Sequence, residues 1–164
     1  GRYRLRKPGE SAFEAEVWKR LLAFKKKSGA RAELVCLTSH KQLPNRDPGA
    51  WKAFCQQDRG PDVNVLRSKN RLDIVVTHPR AGSVGIEVKC LGSGRHTPKL
   101  TQGLGQALLA SAYRDRTILA IYCGAVGAAE RAELRRVADR VCQRTRVRVV
   151  IVPRPSSPSS PQRT

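Results

Sequence analysis

The chain has 164 residues, of which 32 are lysine or arginine and 13 are aspartate or glutamate, so its formal net charge is +19. This length suits one domain with a proper hydrophobic core. No run of about eighteen apolar residues is present, which argues against a membrane-spanning helix. An excess of positive charge this large destabilises a compact chain by self-repulsion, so it predicts a polyanionic partner, and nucleic acid is favoured over a membrane.

The five cysteines are scattered along the chain, and none forms a C-x-x-C pair with another. This pattern predicts reduced thiols in an intracellular protein, in the cytoplasm or in a eukaryotic nucleus, and argues against a zinc site. No signal peptide is visible. The chain contains no methionine and begins with Gly-Arg-Tyr, so we expect a processed product or part of a larger chain.

Residues 1–8 predict a basic N-terminal arm, which either binds phosphate or is simply solvated, ahead of one domain at 9–152. Helical spacing of apolar residues begins at Gly9 and continues to about residue 27. Its core stripe is predicted to consist of Phe13, Val17, Leu21 and Phe24. Glu10 and Glu14 lie one turn apart and therefore share a face of this helix.

A buried strand is predicted near residues 34–37, and residues 39–62 predict a loop with a short helix around Trp51. A further strand is predicted at 63–66. Two apolar runs, at 71–76 and 85–90, are then joined by a turn-forming segment rich in Pro, Gly and Ser. This arrangement is typical of a β-hairpin.

The charged residues of this hairpin are the main functional signal. Glu87 and Lys89 are two residues apart on a strand, so they project from the same face. Asp73 opens the first strand, where pairing can bring its carboxylate beside Glu87. Burying such charges together is costly unless they bind something. Two carboxylates and a lysine at one strand end suit a divalent cation and a phosphate group.

The next helix is predicted to start at Thr97-Pro98, with Thr97 as N-cap, and to reach about residue 113. Its core stripe is predicted to be Leu100, Leu104 and Leu108. Gln102 and Gln106 lie one turn apart on a neighbouring face. Gly103 and Gly105 lower the helix propensity, so they predict close approach of this backbone to the sheet or to a ligand.

The remaining elements are a buried strand at 117–123, a helix at 128–141 and a last, edge strand at 146–151. The helix is expected to turn Leu134, Val137, Ala138 and Val141 inward. Its basic outer surface is predicted to consist of Arg131, Arg135, Arg136, Arg140 and Arg144. Residues 153–164 are rich in Pro and Ser and predict a disordered tail or linker. The element order predicts an α/β domain with a mixed sheet flanked by helices.

These motifs together resemble the PD-(D/E)XK nuclease superfamily, and within it the Holliday-junction-resolvase-like and RecB-like branches. The resemblance covers residues 9 to 123. It rests on the first-helix glutamate Glu14, on Arg71-Leu72-Asp73, on Glu87-Val88-Lys89 and on the helix that carries Gln102 and Gln106. It implies the restriction-endonuclease-like fold, whose core has the order αβββαβ.

The resemblance also implies roles for individual residues. Asp73, Glu87, Glu14 and the carbonyl of Val88 would hold Mg²⁺ or Mn²⁺, with oxygen ligands of the type these ions prefer. Lys89 would orient the attacking water or neutralise charge on the phosphate, and Gln102 would assist it. The residues implied to contact nucleic acid are Gln106, Lys99, Arg95 and Arg71. A homodimer is expected because two sites allow both strands to be cut.

Two features depart from the family pattern. Leu72 stands where the family has a proline before the aspartate, and a literal Pro61-Asp62 pair occurs upstream in a loop-like context. Asp73 is preferred because it lies at a strand start, and Glu10 remains a competitor of Glu14. The predicted function is a metal-dependent DNA endonuclease. The alternatives are a non-catalytic nucleic-acid-binding module of the same fold, and an RNA-targeting nuclease or toxin domain.

Overall fold

The computed structural model describes residues 9–27, 35–38, 40, 43, 48–56, 62–65, 68–80, 82–92 and 96–153, with the backbone alone for 54, 62–65 and 68–70. The predicted arm at 1–8, the tail beyond Pro153 and Arg95 lie outside these residues. The elements are α1 (Glu10–Lys27), β1 (Val35–Thr38), α2 (Pro48–Cys55), β2 (Asp62–Val65), β3 (Ser68–Arg71), β4 (Ile74–His78), β5 (Gly82–Cys90), α3 (Thr97–Ala110), β6 (Arg116–Tyr122), α4 (Ala128–Arg144) and β7 (Val147–Val152).

Five strands form one mixed sheet in the order β1-β4-β5-β6-β7. β4 pairs antiparallel with both β1 and β5, whereas β5, β6 and β7 are parallel. The predicted hairpin is therefore confirmed as β4 and β5, whose register runs from Ile74 opposite Ile86 to His78 opposite Gly82. The prediction that the last strand lies at an edge is also confirmed. β2 and β3 form a separate two-stranded antiparallel sheet.

Helices cover both faces of the five-stranded sheet, as expected from side-chain alternation along its strands. On one face, Phe13 and Trp18 of α1 pack in a core cluster with Ile86 and Val88 of β5. On the other face, α3 and α4 supply a second cluster, which includes Ala107, Leu119, Ile121 and Leu134. The predicted α/β class, with a mixed sheet flanked by helices, is confirmed.

The segment between β1 and β4 contributes to the core through α2. Trp51 is buried in a third cluster with Leu37, Leu72 and Val75. This contact shows that α2 covers part of the core. No helix in the described part of the chain combines the length and the apolar character that crossing a membrane requires.

For three residues the prediction of a core position is wrong. Phe24 is 60% exposed, and Leu108 and Val137 also lie on the surface. In α3 the buried positions belong instead to small residues, Gly103, Ala107 and Ala110, because this helix lies close against the sheet. The predicted N-cap is also wrong, since His96 precedes the helix and Thr97 is already within it.

Candidate metal and phosphate site

Asp73 lies where the two strands of the hairpin separate. The paired register ends at Ile74 and Ile86, so Asp73 falls one residue beyond it, between β3 and β4. There its carboxylate Oδ2 accepts a hydrogen bond of 2.7 Å from the backbone N–H of Val88. The Asp73 carboxylate thus replaces a backbone carbonyl as the acceptor for this N–H of β5. The bond fixes the carboxylate at the open end of the hairpin.

Glu87 and Lys89 meet on the face of β5 that the alternation predicts. The Lys89 Nζ donates a hydrogen bond of 2.7 Å to Glu87 Oε1. Both side chains are deeply buried, with residue exposures of 1% for Glu87 and 5% for Lys89. Lys89 Nζ also donates to Glu10 Oε1 at 3.4 Å. One lysine therefore connects a carboxylate of β5 with a carboxylate of α1.

Helix α1 brings both competing glutamates to this place. Glu10 contacts Lys89, whereas Glu14 is 7% exposed and its Oε1 accepts a hydrogen bond of 3.3 Å from Thr38 Oγ1 of β1. Asp73 is close enough to Glu14 to raise the pKa of that carboxyl. Both glutamates belong to one cluster, which we call the carboxylate–lysine cluster and define as Glu10, Glu14, Asp73, Glu87 and Lys89.

Burial and mutual repulsion raise the pKa of three acids of this cluster, Glu14, Asp73 and Glu87. Burial, reinforced by the charge of Asp73, raises the pKa of both Glu14 and Glu87 to about 7. Burial likewise raises the pKa of Asp73, and the Val88 N–H and Lys89 only partly offset it. Burial alone would lower the pKa of Lys89. The hydrogen bond to Glu87 and the negative charges of Glu87 and Glu10 outweigh burial, so the pKa of Lys89 is raised. This raised pKa keeps Lys89 protonated at neutral pH.

These shifts predict that the protein loses stability as the pH rises in buffer without divalent ions. The pKa of Glu14 is raised from its ordinary 4.5 to about 7, so the folded chain holds this proton more tightly than the unfolded chain. The resulting stabilisation is complete below pH 4.5 and is lost as the pH rises through 7. Chemical denaturation at several pH values should show the free energy of unfolding falling across this range.

Glu14→Gln should flatten this dependence, because the amide can accept from Thr38 but cannot ionise. Glu16→Gln, on the same helix, is the matched control. Glu16 pairs with Arg20 at the exposed surface of α1, so this change should leave the slope as it is. Equal slopes for the two variants would contradict the assignment of the shift to Glu14.

Helix α3 borders the cluster through Gly103. A Cβ built on Gly103 would lie 2.7 Å from Lys89 Cγ and 3.1 Å from Leu119 Cδ1, whereas a Cβ on Gly105 would meet nothing within 4 Å. The predicted close approach is therefore confirmed for Gly103, and for Gly105 it is wrong because that position faces open space. Gln102 is exposed, and Gln106 has a buried Oε1 without a hydrogen-bond partner in the described part of the chain.

The other predicted site residues are more dispersed. Lys99 is exposed on the first turn of α3 and donates from Nζ to the Cys90 carbonyl at 3.3 Å. Arg71 is exposed and ends β3 instead of opening the hairpin strand. The competitor Asp62 lies opposite Arg71 in the two-stranded sheet. The prediction that Asp62 lies in a loop is wrong, because Asp62 is the first residue of β2.

Two residues next to the cluster, Thr38 and His40, were not predicted from the sequence. Thr38 ends β1 and binds Glu14, and a polar residue closing an otherwise apolar strand was a signal available from the sequence. His40 is close enough for its charge to lower the pKa of Asp73, and its backbone N–H donates to Thr38 Oγ1 at 3.1 Å. No spacing pattern pointed to His40, because about thirty residues of chain separate it from Asp73.

The cluster has the donor chemistry that a divalent metal ion requires. Glu87 Oε2 is buried and has no hydrogen-bond partner among the described residues, and the negative charge of Asp73 adds to the effect of burial in raising the pKa of Glu14 and Glu87. Within those same residues, no group of three or more His, Cys, Asp or Glu side chains is already arranged to hold a metal. Binding an ion would therefore require the carboxylates to draw together.

Comparison of the chain with protein-family models, with curated proteins and with solved structures found no match.

Proposed function

We propose that this protein is a metal-dependent endonuclease that hydrolyses phosphodiester bonds of DNA. The observation that carries the proposal is the convergence of Asp73, Glu87 and Lys89 at the open end of one hairpin, joined by Glu10 and Glu14 from α1. Charges this deeply buried are expensive in an ordinary core, so their concentration at one point indicates a functional site.

The order of the elements supports the likeness to the PD-(D/E)XK superfamily. Without the insertion that carries α2, β2 and β3, the first six elements are α1, β1, β4, β5, α3 and β6. This is the αβββαβ order that the resemblance implies. Asp73 directly precedes β4, and β4 is next to the strand carrying Glu87 and Lys89. We therefore propose the restriction-endonuclease-like fold as the finer description of the domain.

Each residue has a task that its contacts make reasonable. Asp73, Glu87, the Val88 carbonyl and Glu14 would hold Mg²⁺ or Mn²⁺, and the bound ion would polarise the phosphate and acidify the attacking water. Lys89 stays protonated and would stabilise negative charge on the phosphate. Gln102 is exposed on α3, next to Gly103 in the chain, and would contact substrate. Thr38 holds the side chain of Glu14 in place.

The proposal is tested by incubating the protein with DNA in the presence of Mg²⁺ or Mn²⁺ and comparing Asp73→Asn with the unchanged chain. Asparagine can still accept the hydrogen bond from Val88, so the fold should survive while metal-dependent cleavage falls at least about a hundredfold. Asp139→Asn, on the exposed face of α4, removes the same charge and should cleave normally. Cleavage that survives Asp73→Asn would refute the proposal.

A second candidate is favoured by one contact. Glu87 Oε1 is already neutralised by Lys89 at 2.7 Å, which suits a nucleic-acid-binding module that does not cut. Such a module would bind DNA in a salt-sensitive way, would show no turnover with either ion and would bind equally well after Asp73→Asn.

Single-stranded, duplex, branched and RNA substrates compared side by side would identify the substrate class, and sedimentation would test the expected homodimer.

A further inference from the structure

The carboxyl ends of the three parallel strands define one edge of the sheet. The register places Cys90 of β5 opposite Tyr122 of β6, and Tyr122 opposite Val152 of β7. Lys89 precedes Cys90 directly, so the carboxylate–lysine cluster lies at one end of this row. We call the row the carboxyl edge and define it as Cys90, Tyr122, Val152 and the residues that follow each of them.

Three cations lie along the carboxyl edge beside the cluster. Lys99 reaches the Cys90 carbonyl from the first turn of α3, at 3.3 Å. Arg131 and Arg135 lie in the first half of α4, which begins six residues after Tyr122. Both are near enough to Cys123 for their charges to lower the pKa of its thiol, against the dominant effect of burial. The placement follows from the fold: β6 and β7 are parallel, so the helix between them runs back along the sheet and its first half, which carries both arginines, starts at the carboxyl edge.

The arginines of α4 therefore form two groups and not one continuous surface. Arg131 and Arg135 are half-buried, and they flank the face through which Leu134 and Ala138 pack onto the sheet. The outer group, which is Arg136, Arg140 and Arg144, is exposed. With about 100° between successive helical residues, Arg136 points away from the buried face. The prediction that all five arginines form one basic outer surface is therefore wrong for Arg131 and Arg135.

We propose that the phosphate backbone of DNA leaves the carboxylate–lysine cluster along the carboxyl edge and is bound there by Lys99, Arg131 and Arg135. This inference rests on the proposed function for the position of the cleaved phosphate. Neighbouring strands are about 4.8 Å apart, so the path from β5 to β7 is about 10 Å long. One DNA strand advances about 3.4 Å along the helix axis per phosphate, so a path of this length matches a short run of consecutive phosphates.

The dimensions and the chemistry of these side chains fit this partner better than a protein partner. Arginine presents a planar fork that binds two phosphate oxygens, and a lysine ammonium has three donors, of which the Cys90 carbonyl takes one. The path begins beside a group of acids that would repel an acidic peptide but that suit a phosphate once a divalent ion is bound. A strip of cations next to an acidic centre thus matches a polyphosphate chain that passes through a metal site.

The test measures binding alone, by fluorescence anisotropy of a labelled duplex in a chelator, as a function of salt concentration. Each phosphate contact contributes about −0.9 to the slope of log K against log salt. Arg131→Gln with Arg135→Gln should reduce the magnitude of the slope by about 1.8 and weaken binding at least about tenfold. Arg136→Gln with Arg140→Gln removes equal charge from the outer group and should leave the slope unchanged.

Lys99→Gln tests the path independently of the half-buried arginines, because Lys99 is exposed on α3 and its replacement should not disturb folding. This variant should reduce the magnitude of the slope by about 0.9. The assigned path would be overturned if the Arg131/Arg135 and Arg136/Arg140 double variants reduced the salt-dependence slope equally. It would also be overturned if Lys99→Gln left the slope unchanged. Since no cleavage is measured, the path can stand even if the protein proves not to cut DNA. Duplex RNA competing more strongly than duplex DNA would overturn the assignment of the partner as DNA.

Discussion

Lys89→Met is expected to lower the free energy of unfolding by about 3–5 kcal/mol at pH 8, because it leaves the carboxylate of Glu87 buried without its cation. Glu87 is 1% exposed and its Oε1 lies 2.7 Å from Lys89 Nζ. Loss of Lys89 removes the two effects that lower the pKa of Glu87, so that pKa should rise further. The destabilisation should then be smaller at pH 5, where Glu87 takes up a proton, than at pH 8. Urea unfolding at both pH values measures it.

The double variant Glu87→Gln with Lys89→Met removes the stranded charge together with its partner. Its free energy of unfolding should return close to that of the unchanged chain, and the difference from additivity gives the coupling between the two residues. Arg20→Met breaks the exposed pair with Glu16 and should cost no more than about 1 kcal/mol. A Lys89→Met effect as small as that of Arg20→Met would show that the buried pair is not formed in solution.

Gly103→Ala is expected to act on the site through Lys89. The added methyl group would lie 2.7 Å from Lys89 Cγ and 3.1 Å from Leu119 Cδ1, and Leu119 is fully buried. Crowding of this kind costs about 1–3 kcal/mol, against a gain in helix propensity of up to about 1 kcal/mol. Because Lys89 must shift, and a displacement of about 1 Å can cost about a hundredfold in rate, the proposed DNA cleavage should fall about a hundredfold.

Gly105→Ala is the matched control in the same helix. It makes the same chemical change where a Cβ meets nothing within 4 Å, so stability should rise slightly and cleavage should be retained. Thermal unfolding and cleavage rates for both variants test the pair. A fall in cleavage for Gly105→Ala as large as for Gly103→Ala would attribute the effect to helix flexibility and not to contact with Lys89.

Much of the local structure follows from short-range patterns. Alternation along 85–90 predicted that Glu87 and Lys89 share a face, and the 2.7 Å contact between them confirms it. Helical spacing predicted that Glu10 and Glu14 share a face, and both reach the cluster. These predictions succeeded because the period of a strand or helix fixes which neighbours project together, whatever surrounds the element.

Helix burial was predicted less well, for a reason that α3 illustrates. Leu108 was expected in the core because it is large and apolar, yet Gly103, Ala107 and Ala110 occupy the buried face. A helix that lies close to a sheet needs small residues at the contact, and hydrophobicity alone does not distinguish this case from a leucine-lined contact. In α1 the spacing placed Phe24 in the core, but Phe24 is 60% exposed, whereas Trp18 is 1% exposed.

The α/β class, the hairpin and the pairing of charges within single elements could be predicted from the residues alone, because each depends on periodicity or turn chemistry within a few residues. Three features required the folded chain: Glu10 and Glu14 both join the cluster, Thr38 and His40 lie beside it, and Arg131 and Arg135 separate from the outer arginines. Those facts depend on how distant segments pack, and packing is set by the shapes of many side chains at once. The acids and the lysine were visible in the sequence, whereas their common position came from the fold.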